Sequence, residues 1–353
     1  MVRLTGNFTS EAPLSQRVLE AISATFADGW ADPKKLSQAS HRALTLRASA
    51  LEEIASNLQI SPQSLQPIGE PHIGHYLAIA GLLDPQSYLL TSTIDVGKAR
   101  AVARAHTGER GELSVDGTGA IGPITAHPSK STVLHFQVAN GETGYEQDVQ
   151  SLTHLPASIS IALDATRALP RSYADTRADT ALFDSLSWGG PQGLSLLAIF
   201  SPEKFRYPLP HIAPITTPGS YSLPLLVGSA IAISESVTRS EISTLRARAI
   251  ETLSRIEGLS IVLPEANSES AYISILVEKY SAEEVSRHLR VRGIEVDAGS
   301  ACSPEDLAPS HVIAALNLPT SGHIRITLRR EQTADELSAL TRALTEVFQE
   351  LSN

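Results

Sequence analysis

The sequence predicts an α/β fold: a large domain whose mainly parallel sheet is flanked by helices, joined to a smaller C-terminal α+β domain. Three observations predict it. Short apolar, β-rich runs alternate with helical or mixed stretches through the first part of the chain. A Pro-rich passage, RYPLPHIAPITTPGSYSLP, then marks a change of texture. Beyond it, helices and strands follow one another closely enough to form a compact α+β unit.

Taken in order, Val18, Leu19, Ala21, Ile22 and Phe26 fall at helical spacing and give a helix from Pro13 to Ala27. A second amphipathic helix runs from about His41 to Leu58, with GWADPKKLSQAS as the loop between them. Strands are expected at SYLLTSTI (87–94), TVLHFQV (132–138), SISIAL (158–163), TALFDSLS (180–187) and LSLLAIF (194–200). From Thr238 a helical pattern continues to about Ile256. Strands LSIVLP and SAYISILV, helix SAEEVSRHLRVRG, strands IEVDAG and HIRITLR, and a closing helix from Thr333 to Leu351 complete the chain. Ser281 with Glu284, and Thr333 with Glu336, have the spacing of a capping box. The domains are expected at 13–237 and 238–353, with residues 1–12 belonging to the smaller one. No internal repeat or low-complexity segment interrupts them.

At 353 residues and 42% hydrophobic, the chain can bury two cores. A formal charge of −10 without a cluster of Lys and Arg excludes a nucleic-acid surface. The opening residues lack a charged-then-apolar leader pattern, and the most apolar run, LPLLVGSAIAI from Leu223, is too short to span a bilayer. A soluble, cytoplasmic protein without membrane contact is therefore expected. The single cysteine, Cys302, cannot form an internal disulfide, which fits a reducing compartment.

VDAGSACSPEDLAPSHVIAALNL, followed by IRITLRREQTADEL, resembles the C-terminal part of cysteine desulfurases, in the class V aminotransferase branch of fold type I pyridoxal phosphate (PLP) enzymes. NFTSEAPLSQRVLEAI and DPKKLSQASHR are similar to the family's opening segments. QVANGETGYEQDV, LDATRALP and GGPQG resemble, in order, its ring-contacting segment, its pyridinium-aspartate strand and the turn after its cofactor lysine. The resemblance implies a fold type I PLP-transferase-like architecture, a dimer and PLP as cofactor. It also implies Cys302 as persulfide-forming thiol, Arg325 as carboxylate grip, Asp164 as partner of the pyridinium, Asn140 beside the ring and Gly69 in the phosphate turn.

The same alignment exposes departures. The lysine's place falls on Ser187, which cannot form an imine, and no lysine stands between Lys130 and Lys204. In the phosphate turn, Glu70 brings a like charge and Pro71 removes an N–H donor. A second phosphate-binding serine has become Asp184, the neighbouring subunit's Arg-Ser-Gly-Thr reads TTPGSYS, and Val96 stands where a histidine should stack on the ring. The family's glutamine near the ring is Arg167, positioned in sequence to pair with Asp164.

Each survivor has a plainer alternative. Asp164 is a ring partner or an acid capping a strand end; Asn140, next to Gly141, is a ring contact or turn chemistry. Arg325 grips a carboxylate or pairs with a neighbouring acid. Cys302 is a reactive thiol or an inert small residue. His72 and His75 form an H-x-x-H pair without a third ligand at recognisable spacing, so they are read as helix-start histidines and no metal is expected. The expected function is a degenerate desulfurase-like partner or sulfur-relay subunit acting through Cys302. It would work as a homodimer or as a heterodimer with a desulfurase paralogue, with a sulfur-acceptor protein as a further partner. The alternatives are a working PLP enzyme that holds the cofactor non-covalently or with groups from a partner chain, and a vacated pocket in which Arg167 and the two histidines bind another small ligand.

Overall fold

The computed structural model describes residues 6–69, 71–211, 221–262, 269–298, 310–329 and 332–352. In chain order the elements are β1 (Asn7–Phe8), α1 (Gln16–Asp28), α2 (Gln38–Leu58), β2 (Leu65–Ile68), α3 (Pro71–Ala80), β3 (Tyr88–Ser92), α4 (Gly97–Ala105), β4 (Arg110–Leu113), β5 (Thr132–Gln137), β6 (Ile159–Asp164), β7 (Thr180–Asp184) and β8 (Ser195–Ile199). They continue as α5 (Leu223–Ser234), α6 (Arg239–Leu253), β9 (Leu259–Ile261), β10 (Tyr272–Val277), α7 (Ala282–Val291), β11 (Glu295–Ala298), α8 (His311–Ala315), β12 (His323–Thr327) and α9 (Ala334–Leu351).

Strands β5, β7 and β8 are buried at every residue, the pattern of strands covered on both faces. They lie inside a seven-stranded sheet of order β2-β8-β7-β6-β5-β3-β4. Pairing is parallel from β7 through β6, β5 and β3 to β4, and antiparallel between β7 and β8 and between β8 and β2. On one side α5 packs against α1 and α2; on the other, α3 packs against β7, β8 and α4. The run from Leu223, too short for a membrane span, forms the buried helix α5, capped by the Ser222 hydroxyl and carrying Pro224 in its first turn. Among the described residues no helix is long and apolar enough to cross a membrane.

The second sheet, β1-β11-β12-β10-β9, takes its first strand from the start of the chain: Asn7 and Phe8 pair parallel with Glu295 and Val296. Its strands and α6, α7 and α9 enclose a separate apolar core that includes Phe8, Ile273, Ile324, Leu344 and Val347. The Thr333–Glu336 capping box forms in full, as does one at Thr238–Glu241 that opens α6, and Ser281 accepts from the Glu284 N–H at the start of α7.

Two expected strands end early, each at an aspartate. The 180–187 run stops at Asp184, whose carboxylate accepts from the Leu186 N–H and starts a 3-10 turn over Ser185–Trp188. The 87–94 run stops at Ser92, whose N–H is taken by the Asp95 carboxylate at 2.8 Å. Both breaks lie at the C-terminal ends of parallel strands, where open α/β sheets place their sites.

Candidate active site

Helix α3 reaches these strand ends because Gly74 lets it close on β7. A Cβ at that position would lie 2.5 Å from Leu182 Cδ1. The next residue, His75, is thereby buried against β6. Its Nε2 lies 3.1 Å from Oδ2 of Asp164, the last residue of β6, and its Nδ1 lies 2.9 Å from the Pro71 carbonyl. The other Asp164 oxygen, Oδ1, accepts from the Thr166 N–H at 2.9 Å and the Thr166 hydroxyl at 2.6 Å. Both oxygens of this carboxylate are therefore engaged by the protein itself.

A second histidine continues the cluster. His135, on β5, contacts Asp95 Oδ2 through Nδ1 at 2.8 Å. Its Nε2 points toward Asp164 Oδ2 at 3.7 Å and has no hydrogen-bond partner among the described residues. Asp95, His135, Asp164 and His75 thus form an alternating acid–base chain, each member 4% exposed or less. Burial pushes the Asp164 carboxyl up, but the charge and hydrogen bond of His75, the charge of His135 and the Thr166 hydroxyl outweigh it and hold the group well below the usual carboxylate range. For His135, burial opposes protonation, yet the charge and hydrogen bond of Asp95, aided by Asp164, raise its pKa.

Asp184 closes the other side. Burial raises its pKa, with the Leu186 N–H and the charges of Arg167 and His75 acting in the opposite sense. Arg167 does not pair with Asp164 as its sequence position suggested, because His75 and Thr166 have taken that carboxylate. Arg167 instead hydrogen-bonds Tyr272, which with Asp184 favours its charged form against burial and the nearby Arg325. Its stem lies over Gly141, where a Cβ would approach Arg167 Cγ to 3.0 Å.

Arg325 faces Asp297 across the β11–β12 pair, with Nε and Nη2 at 3.2 and 2.7 Å from Oδ2. Nη1 donates to the Gly141 carbonyl at 2.9 Å, Nη2 to the Ser10 hydroxyl at 3.1 Å, and the guanidinium sits 5.6 Å above the Tyr272 ring. In this arrangement it ties the small sheet to the large-sheet turn and to the start of the chain. Asn140 is likewise fully used in that turn. Its amide donates to the Ile94 carbonyl and Gln137 Oε1, while Oδ1 accepts from the N–H groups of Glu142 and Thr143.

Ser187, half-buried in the 3-10 turn, donates its hydroxyl to the Asp184 carbonyl at 2.8 Å. Gly69 follows β2, partly exposed. Val96 packs at the edge of the apolar cluster of Ile79, Leu89 and Val133. Of the six lysines, Lys130 and Lys204 pair with Glu109 at 2.6 Å and Asp179 at 2.8 Å, and Lys34, Lys35, Lys98 and Lys279 are exposed. Cys302 and Glu70 lie outside the described residues, as does most of TTPGSYS. Just after the segment holding Cys302, the Ser310 hydroxyl bonds Glu142 and His311 Nε2 donates to the Asp95 carbonyl at 2.9 Å. The described chain resumes beside the acid–base cluster.

Asp95, His135, Tyr272 and Asp297 escape sequence reasoning. The one available signal was His135, a polar residue inside the apolar strand TVLHFQV, where a buried histidine requires a partner. His75 was visible but read as an ordinary helix-start residue. Among the described residues, no group of three or more His, Cys, Asp or Glu side chains is arranged to hold a metal.

The aminotransferase class V family model matches residues 217–340. A cysteine desulfurase IscS of Dictyoglomus turgidum is 23% identical over 374 residues, covering 98% of this chain and 94% of its own. A cysteine desulfurase of Rhodobacter capsulatus is 30% identical over 201 residues, covering 54% of this chain and 52% of its own. The solved structure of a NifS-like protein superimposes with a TM-score of 0.85 at 18% identity, over 98% of this chain and 100% of the other. The two-sheet architecture is thus that of the NifS-like structures, an α/β fold of the fold type I PLP class. Over nearly its whole length the chain is similar to cysteine desulfurases, and its C-terminal third matches the class V aminotransferase model.

Proposed function

We propose that this chain is a cysteine desulfurase-like protein that does not run PLP chemistry and acts as a partner or sulfur-relay subunit through Cys302. The observation that carries the reading is Asp164. The aspartate expected to stabilise a protonated cofactor ring is engaged on Oδ2 by His75 and on Oδ1 by Thr166. Around it, Ser187 supplies no amine, Asp184 is a buried acid where a phosphate contact belongs, and Val96 offers no stacking ring. The residues present do not fit PLP. A buried carboxylate beside a phosphate is unfavourable, and several such changes together argue against an isolated loss.

The relay step needs no cofactor on this chain. The Cys302 thiolate attacks the terminal sulfur of a persulfide presented by an active desulfurase. The donor's S–S bond breaks, the donor leaves as thiolate, and Cys302 becomes the persulfide that a second thiolate can accept in turn. Arg325, paired with Asp297, serves here as a tie between sheets. A dimer, of two copies or with a desulfurase paralogue, suits the exposed apolar side chains Leu19, Phe26, Trp30, Leu36 and Leu44 along α1, α2 and their connection. A reducing, cytoplasmic setting suits the single thiol.

The test is persulfide loading by an active desulfurase and free cysteine, read by mass on the intact chain. Loading of the wild type that disappears in Cys302→Ala supports relay. Equal mass shifts in both, or none in either, reject it.

A further inference from the structure

We infer that His75 supplies, from within the protein, the cation that Asp164 would otherwise take from a bound heteroaromatic ring, so that the site is closed by its own side chain. This rests on the reading that the chain does not hold PLP, and it names what replaced the cofactor's charge. The geometry points to a ring protonated on both nitrogens. Nδ1 lies 2.9 Å from a backbone carbonyl and Nε2 lies 3.1 Å from a carboxylate oxygen, and both partners are acceptors. A neutral imidazole has one N–H and can satisfy only one of them; the other nitrogen's lone pair would face an oxygen in a dry site. Only the imidazolium makes both bonds.

Three features of the chain build this arrangement. Pro71 opens α3 with its carbonyl directed along the helix, so a histidine one turn later has an acceptor for Nδ1. Gly74 removes the Cβ that would hold α3 off Leu182, bringing the imidazole to the end of β6. Thr166 takes Oδ1 with two donors and leaves Oδ2 for the ring. The charged groups facing His75 are Asp164, Asp184 on the neighbouring strand and, beyond the shared carboxylate, His135. His75 therefore acts as a positioning residue for the Asp164 carboxylate.

The inference predicts chemical rescue. In His75→Gly, Asp164 loses its ring and Tm falls by roughly 5–10 °C. Added imidazole, entering as imidazolium, restores most of that loss, and it has no effect on His75→Gly combined with Asp164→Asn, where no carboxylate remains to hold it. Failure of imidazole to raise the Tm of the single variant, or equal rescue of the double variant, overturns the inference. Should His75→Gly not fold, nitrogen NMR on the wild type decides. Both acceptors facing the ring call for a proton on each nitrogen of His75, and a spectrum with one unprotonated nitrogen overturns the inference. These readouts stand apart from cofactor binding. Wild type that retains PLP defeats the functional reading, whereas wild type that rejects PLP but carries a neutral His75 defeats only this inference.

Discussion

Asp164 and His75, 89 residues apart in sequence, meet as a buried pair with Oδ2 and Nε2 3.1 Å apart. His75 takes Oδ2 of the carboxylate, Thr166 takes Oδ1, and Arg167 turns to Tyr272.

Asp164→Asn tests the pair's weight. Breaking a buried ion pair by removing one partner typically costs about 3–5 kcal/mol, because the remaining charge is left without compensation. Here two histidines lose their shared acid. The expected outcome is a destabilisation of that size in chemical denaturation, with an unchanged dependence on denaturant. A loss under about 1 kcal/mol would mean that the pair carries little of the local stability.

Gly74→Ala should destabilise through crowding alone. The new methyl would sit 2.5 Å from Leu182 Cδ1, and overpacking of a well-packed core costs about 1–3 kcal/mol. Combining it with Leu182→Ala should recover part of the loss in a thermal melt. If the double variant is simply additive, the close approach of α3 to β7 is not what Gly74 provides.

Much of this was legible in the sequence, and the limits have physical causes. Apolar runs such as LSLLAIF and TVLHFQV stand out because strands buried on both faces need continuous hydrophobicity, and they appear as β8 and β5. Helix α9 announced itself through Thr333 and Glu336. Strand ends were less visible, since Asp184 and Asp95 stop their strands with side-chain hydrogen bonds that compete with the ladder. In the candidate site, Asp164 and Ser187 stand out by pattern. The partners do not: His135 meets an Asp95 40 residues away, and Arg325 meets Asp297 only because β11 and β12 pair. Spacing along the chain carries no trace of such contacts.

Acid should weaken the small domain through His323. Burial, then the charge of Arg325, lowers its pKa to about 4, while the unfolded chain titrates near 6.5. A depressed folded pKa gives stability that is fully present above about pH 6.5 and is lost as pH falls toward 4, amounting to about 3 kcal/mol. His135 acts in the opposite sense. Its raised pKa gives stability that is complete below about pH 6.5 and is lost as pH climbs through the folded value. Urea unfolding near neutral pH and at about pH 4.5 should show the acid loss in wild type and a smaller one in His323→Gln. Equal losses would remove His323 as the cause.

Arg325→Ala cuts the contacts to Asp297, Gly141 and Ser10 together. A loss of about 1–3 kcal/mol is expected, since a half-buried acid and two acceptors are left behind. The start of the chain, held by β1 pairing and by this guanidinium, should become the first site of limited proteolysis. Unchanged proteolysis would show that β1 is secured by its pairing with β11 alone.

The central claim is that the family's cofactor site has been closed from within. The most direct test is the visible absorbance spectrum of the purified protein after incubation with excess PLP and dialysis, for wild type and for Ser187→Lys. The account predicts that wild type returns to the spectrum of bare protein, and that a lysine restored at residue 187 gains no stable imine band while His75 holds Asp164. A band retained by wild type after dialysis would contradict it.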